Sequence, residues 1–338
     1  MLKSRRRTGR HRRTVFIALA AVGAVAAATL AGGASGQDRP RVAFLSFAVA
    51  NSYDAPMIKA AKAVAKQRGV TLNLFDAAND PKKQLSQLQT VTSSGQYDGI
   101  LLQPIFGPQL IPTVKQAIKK GIKVVNIDQI LGTNPATATP PVSGLSGNVV
   151  FIQTDIGKKQ GQLVRAACKA NKLNPCNVGF LYSVKASSLD TAIRRGFNAQ
   201  IKSVPSIKVV AEGETFYQHA VALKAAQTML QANANINLIV GADQGATGAE
   251  IAARGAGRRV VFVGYGGGGV GLKAVKAGRW YGTVMQRPAT EGRRGMQCLA
   301  AAIKSNQNCG GIDVLKGLPN GGVVRKANAS KFKAEWPG

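Results

Sequence analysis

The chain has 338 residues, too many for one average core and suited to two domains. Hydrophobic residues make up 45% and charged residues 18%, which excludes a disordered chain. Lys and Arg number 45 against 15 Asp and Glu, a formal charge of +30. Seven of those cations (Lys3, Arg5, Arg6, Arg7, Arg10, Arg12 and Arg13) precede residue 14 and no acid precedes Asp38, so residues 37–338 carry 38 cations against 15 acids, or +23. Such a charge predicts contact with polyanions or anionic surfaces and says nothing about fold. Only Thr14 to Gly33 approaches membrane-spanning length, which excludes a multi-span membrane protein. Two His and four Cys leave little material for a metal site, and none is expected.

Residues 1–36 read as an export signal: a basic start, an apolar run from Val15 to Leu30, and a small-residue end. Ala34-Ser35-Gly36 places cleavage before Gln37, and an uncleaved anchor stays open as the alternative. Arg12-Arg13 hints at twin-arginine export, but Thr14-Val15-Phe16 fits that motif poorly, so the export route also stays open. The expected location is extracytoplasmic: periplasmic, cell-envelope or secreted. No Cys lies near the cleavage region, which does not favour a lipoprotein.

Strands and helices then alternate. Arg41 to Phe47 reads as a strand, Pro56 to Arg68 as a helix stopped by Gly69, and Val70 to Phe75 as a strand. Asp80-Pro81 opens a helix running to about Ser93. Gly99 to Leu102 is a strand, Pro108 to Lys120 a helix, and Ile122 to Ile127 a strand. Residues 131–147, rich in Pro, Gly and Thr, break the rhythm as a loop. Strands are expected at Val149 to Gln153, Val178 to Tyr182, Lys208 to Ala211, Leu238 to Val240 and Val260 to Val263. The helices between and after them are Gly157 to Asn171, Ser188 to Ser203, Ala220 to Ala232, Ala246 to Arg254 and Val270 to Ala277. Repeated βα units imply doubly wound parallel sheets, in which ligands sit beyond the carboxyl ends of the strands.

An exported chain keeps its cysteines oxidised. Cys168 and Cys176 lie eight apart and Cys298 and Cys309 eleven apart, so local pairing is the simplest of three connectivities. Four thiolates on zinc would need closer spacing.

The strand ends carry Asn51-Ser52-Tyr53-Asp54, Asn79-Asp80-Pro81, Tyr97-Asp98-Gly99 through Gln103-Pro104, and Gly121 through Asp128. Arg195-Gly196-Phe197, Val263-Gly264-Tyr265 and Gln286-Arg287-Pro288 follow. In order and placement, over roughly residues 40 to 320, these segments resemble the periplasmic sugar-binding proteins of the ribose-binding type, the substrate-binding components of ABC importers. The resemblance implies a type I periplasmic binding protein fold. Its two α/β domains would be residues 40–153 plus 287–313 and residues 154–286 plus 314–338. They would be joined by crossings near Gln153-Thr154, Gln286-Arg287 and residues 313–320.

The resemblance assigns Phe47, Asn51, Tyr53, Asp54, Asp128 and Gln129 to the cleft from one domain. Tyr217, Asp243, Tyr265 and, at the hinge, Gln286 come from the other. Aromatic rings would cover the faces of a sugar, while carboxylates and amides bond its hydroxyls. Alternatives stay open: Asp128 as a helix cap, and Tyr265 as core packing. The family often has Arg where Gln129 stands, Asn where Ala242 stands, and Asp where Gly266 stands. No Arg falls cleanly about four residues before Gly196, with Arg194 the nearest. A larger, less polar or differently functionalised ligand than a plain pentose would fit these departures.

Gly264 to Gly269 contains G-x-G-x-x-G after a strand, yet no acid follows at the end of the next strand, so no dinucleotide or other cofactor is expected. The glycines are expected to leave room for ligand. Scattered surface cations such as Lys59, Lys62, Lys66 and Lys82, without interleaved aromatics, argue against nucleic acid. A lactose-repressor-type regulator would begin with a helix-turn-helix. His219 reads as a helix-surface residue, and no enzyme is expected. The expected function is capture of a small carbohydrate-like ligand for an ABC permease by a monomer, with attraction to anionic envelope surfaces. The alternative is a ligand-sensing or ligand-retaining envelope module acting with a receptor.

Overall fold

The computed structural model describes residues 39–338, so the export-signal reading lies outside the described residues. The first half follows the alternating pattern: β1 (Arg41–Ser46), α1 (Asp54–Gln67), β2 (Thr71–Asp76), α2 (Pro81–Ser94), β3 (Gly99–Leu102), α3 (Gly107–Lys119), β4 (Lys123–Asp128) and β5 (Gly147–Val150). The local chemistry is explicit at α2. Asp80 accepts from the backbone amides of Lys82 and Lys83, Pro81 sits at the first helical position, and Gly95 ends the helix in the left-handed region at φ 66°.

The second half continues with α4 (Gln153–Ala170), β6 (Cys176–Tyr182), α5 (Ser188–Ile201), β7 (Ile207–Glu214), α6 (His219–Ala232) and β8 (Leu238–Val240). Then come α7 (Asp243–Gly255), β9 (Val261–Val263), α8 (Gly269–Lys276), β10 (Thr283–Val284), α9 (Pro288–Ser305), β11 (Gly310–Asp313) and β12 (Val323–Val324).

Two sheets form. The first has the order β2-β1-β3-β4-β5-β11, and all its pairs are parallel. The second runs β7-β6-β8-β9, also parallel. A parallel bridge from Val263 to Gly282 brings the β10 segment alongside β9, and β10 pairs antiparallel with β12. The chain leaves the first sheet after β5, returns with α9, which packs on β4, β5 and α1, and leaves again after β11. Three passages therefore join two lobes, each with its own doubly wound sheet, as the resemblance implied.

Boundaries differ where the pattern was ambiguous. The apolar run after Gly147 reads as a strand to Gln153, but pairing with β4 ends at Asp128 opposite Val150, and α4 starts at Gln153. β11 was not expected. Its sequence, Gly-Gly-Ile-Asp, lacks a strand pattern, and it is an edge strand held only by β5.

The lobes are close-packed. Phe44, Phe151, Phe180, Phe197 and Trp280 are fully buried. α4 and α5 approach so closely that a Cβ on Gly196 would strike the Thr154 carbonyl, and one on Gly157 the Ile193 carbonyl. Both cysteine pairs are disulfides. Cys168 on α4 bonds Cys176 on β6, and Cys298 on α9 bonds Cys309 before β11, with Cα–Cα distances of 5.9 and 5.8 Å.

Candidate ligand cleft

A small cavity of about 20 Å³ lies between the lobes, at the carboxyl ends of the strands. Phe47, Asn51, Tyr53, Asp54, Asp128, Gln129, Tyr217, Tyr265 and Gln286 all line it, joined by Gln103, Leu189, Ala242 and Gln244. The fold explains the convergence. Phe47 follows β1, Gln103 follows β3, Asp128 ends β4, Tyr217 follows β7, Ala242 follows β8 and Tyr265 follows β9.

Gln103 organises the first lobe's share. Its Oε1 accepts from the Phe47 amide at 3.0 Å, which fixes the orientation of its Nε2. That nitrogen donates to Asp54 Oδ1 at 2.8 Å and to Asp128 Oδ2 at 2.9 Å. The other oxygen of Asp54 accepts from the Ala48 amide at 3.2 Å. Asp128 takes a positive φ of 66°, a conformation that Asp tolerates better than most residues. No helix amide bonds its side chain; its bonds run to Gln103 and Tyr53, so its geometry is not that of a helix cap.

Behind this pair lies Glu291 on α9, fully buried, with Oε2 3.2 Å from the Tyr53 hydroxyl. Burial lifts the Asp128 carboxyl to about 6, with the bonds from Gln103, Glu291 and Tyr53 holding it down. Burial, with the Asp128 charge adding, raises Glu291 well above the carboxylate range. Burial raises Asp54 in the same way, opposed by the Gln103 bond.

The second lobe contributes mainly aromatic surface. The Tyr265 hydroxyl lies 3.1 Å from Ser183 Oγ, and either oxygen can donate. Tyr217 sits at φ 56°, following Phe216 at 48°. Two successive side-chain-bearing residues in the left-handed region store strain of about 1–3 kcal/mol each. That turn sets the Tyr217 ring edge-on to Phe47 of the opposite lobe, 6.0 Å between centroids. Gln244 Nε2 also reaches Asn51 Oδ1 across the cleft, at 3.3 Å.

Asp243 does not line the cavity. Its carboxylate accepts from Thr283 Oγ1 at 2.7 Å and the Gly268 amide at 2.8 Å, and burial raises it to about 6. This placement also accounts for the Gly264 to Gly269 run. A Cβ on Gly264 would strike Asp243, and one on Gly266 or Gly268 would strike the Trp336 indole. These glycines make room for Asp243 and Trp336, where the sequence suggested room for ligand. Trp336 Nε1 donates to the Gly266 carbonyl at 2.8 Å, and its ring packs edge-on against Tyr53. Arg194 points away from the cavity, over the Phe180 ring and bonded to Glu212. His219 is exposed at the start of α6.

Sequence reasoning left out Gln103, Gln244, Leu189, Ala242 and Glu291. Position after a strand was the available signal for Gln103 and Ala242. Nothing local marks Glu291.

Two lobes, parallel sheets, three crossings and a cleft lined from both sides define an α/β binding protein. The sequence pattern of the periplasmic binding protein domain matches residues 42–307, and the chain belongs to that family. It is 30% identical over 268 residues to the D-allose-binding periplasmic protein of Escherichia coli (strain K12), covering 77% of this chain and 83% of that protein. It is 25% identical over 245 residues to the ribose import binding protein of Bacillus subtilis (strain 168), covering 72% and 75%. The fold matches an ABC transporter periplasmic solute binding protein of Actinobacillus succinogenes, crystallised with D-allose, at a TM-score of 0.71 and 24% identity, over 87% of this chain and 100% of that one. The protein binds a solute outside the cytoplasm and is not an enzyme.

Proposed function

We propose that this protein captures a small carbohydrate-like ligand between its lobes and delivers it to the permease of an ABC importer. The observation that carries this reading is the cavity itself. Carboxylates and amides from one lobe face aromatic rings from both, the pairing that suits the polar edges and apolar faces of a sugar. The named relatives bind D-allose and ribose, which supports the same class.

The binding units are residues 40–153 plus 287–313 and residues 154–286 plus 314–338, hinged where the chain crosses between sheets. Residues 1–36 serve export, with cleavage before Gln37, and two disulfides suit that destination. The mature protein acts as a monomer. Its positive surface, including Arg165, Lys169 and Lys172 along one groove, favours anionic envelope surfaces.

A thermal-shift screen over sugars, polyols and nucleosides tests the reading. A ligand at about 100 times its dissociation constant adds about 2.7 kcal/mol of stability. Stabilisation by sugars or polyols supports the reading, and stabilisation by none of them contradicts it.

A further inference from the structure

We propose that the ligand carries a protonated amine, as in an amino sugar or an aminocyclitol. This narrows the ligand class of the cleft and rests on the sugar-capturing reading above.

The cavity has two carboxylates, Asp54 and Asp128, and no Lys, Arg or His among its lining residues. Both acids are almost fully buried, at 1% and 3% exposure. The groups that stabilise their charge are neutral: the Gln103 amide, the protonated Glu291 carboxyl, the Tyr53 hydroxyl and the Ala48 backbone amide. Glu291, which keeps its proton, lies directly behind Tyr53 and brings no positive charge. Buried acids stay ionised when an opposite charge is beside them, and among the lining residues there is none, so a cationic ligand would supply the missing partner.

A second observation points the same way. Gln129 is 3% exposed and lines the cavity, and its Oε1 has no donor among the described residues. The site therefore offers an excess of acceptors. An ammonium group has three donors and no acceptor, so it complements that excess, whereas a hydroxyl brings one donor.

The walls fit as well. Phe47, Tyr217 and Tyr265 line the same space, and the negative faces of aromatic rings attract a desolvated cation. Acid, amide and ring thus line one cavity, with residues from both lobes.

The test is calorimetric titration of the exported protein with matched pairs: D-glucosamine, D-galactosamine and D-mannosamine, each beside its neutral parent hexose and its N-acetyl derivative. The expected result is an amine that binds at least about tenfold more tightly than its parent. N-acetylation, which keeps the nitrogen and removes the charge, abolishes that preference. Asp128→Asn also abolishes that preference, weakening the amine by more than it weakens the neutral parent, and a melting curve confirms that the variant folds, because Asn tolerates the left-handed backbone and retains an acceptor. If neutral hexoses bind as tightly as the amines, the amine inference falls and the sugar reading stands. If no member of any pair binds, both fall.

Discussion

The Tyr53 hydroxyl lies 3.1 Å from Asp128 Oδ1, and the same oxygen lies 3.2 Å from Glu291 Oε2. One phenolic hydrogen cannot serve two carboxylates, so one of the acids keeps its proton. Glu291 is the one, because it is fully buried and pressed by the Asp128 charge. The donor order then runs from Glu291 to Tyr53 to Asp128. A helix that returns late in the chain thereby fixes the orientation of an acid on the fourth strand.

That proton has a consequence for stability. Asp54, Asp128, Asp190, Asp243 and Glu291 are all buried, and burial raises each carboxyl above its ordinary value. The folded chain holds protons that the unfolded chain has already released. Stability therefore falls as pH rises, from about 4 through about 6 for Asp128 and Asp243 and about 7 for Asp190. Each group contributes roughly 1.4 kcal/mol per pH unit inside its window. Melting curves from about pH 5 to about pH 8 should show a falling melting temperature. Glu291→Gln, which removes one titrating group, should flatten that slope. A melting temperature that rises across the window contradicts the assignment.

The disulfides close short loops, and each should contribute about 2–3 kcal/mol. Non-reducing peptide mapping of the exported protein should recover Cys168 with Cys176 and Cys298 with Cys309. Recovery of four free thiols, or of the crossed pairing, contradicts the structure.

The cavity of about 20 Å³ has room for about one water molecule. Phe47 against Tyr217, and Gln244 against Asn51, seal it from both sides. A sugar enters only after the lobes part about the three crossings, a hinge motion suited to this architecture. Small-angle scattering should give the free protein a larger radius of gyration than this structure, and saturating ligand should reduce it. Identical profiles with and without ligand would sink the hinge.

Much of this was legible in the chain. Period and punctuation gave the alternation, and the resemblance to the ribose-binding type pointed to Phe47, Asp128 and Tyr265, which line one cavity. The resemblance pointed to Asp243 as well, but its carboxylate turns under the Gly268 loop, where Thr283 and the loop amide donate to it. Gln103 was visible as a strand-end amide, yet its double donation depends on the separation of two carboxylates that only the folded sheet sets. Glu291 was out of reach of any local pattern, because α9 meets Tyr53 through the crossing back to the first sheet.

The central claim is that ligand is held in this cavity by Asp128, and one paired measurement tests it most directly. Sugar titration and a melting curve are run on the wild type and on Asp128→Asn. Asn is the cleaner replacement, since Ala at φ 66° would strain the backbone and leave two buried donors unpaired. Hydrogen bonds to a charged acceptor contribute about 1.5–3 kcal/mol, so affinity for the best-binding sugar in the panel should fall by about 10- to 100-fold. The melting temperature should stay close to that of the wild type. Unchanged affinity in a folded Asp128→Asn protein would place the ligand elsewhere and contradict the account.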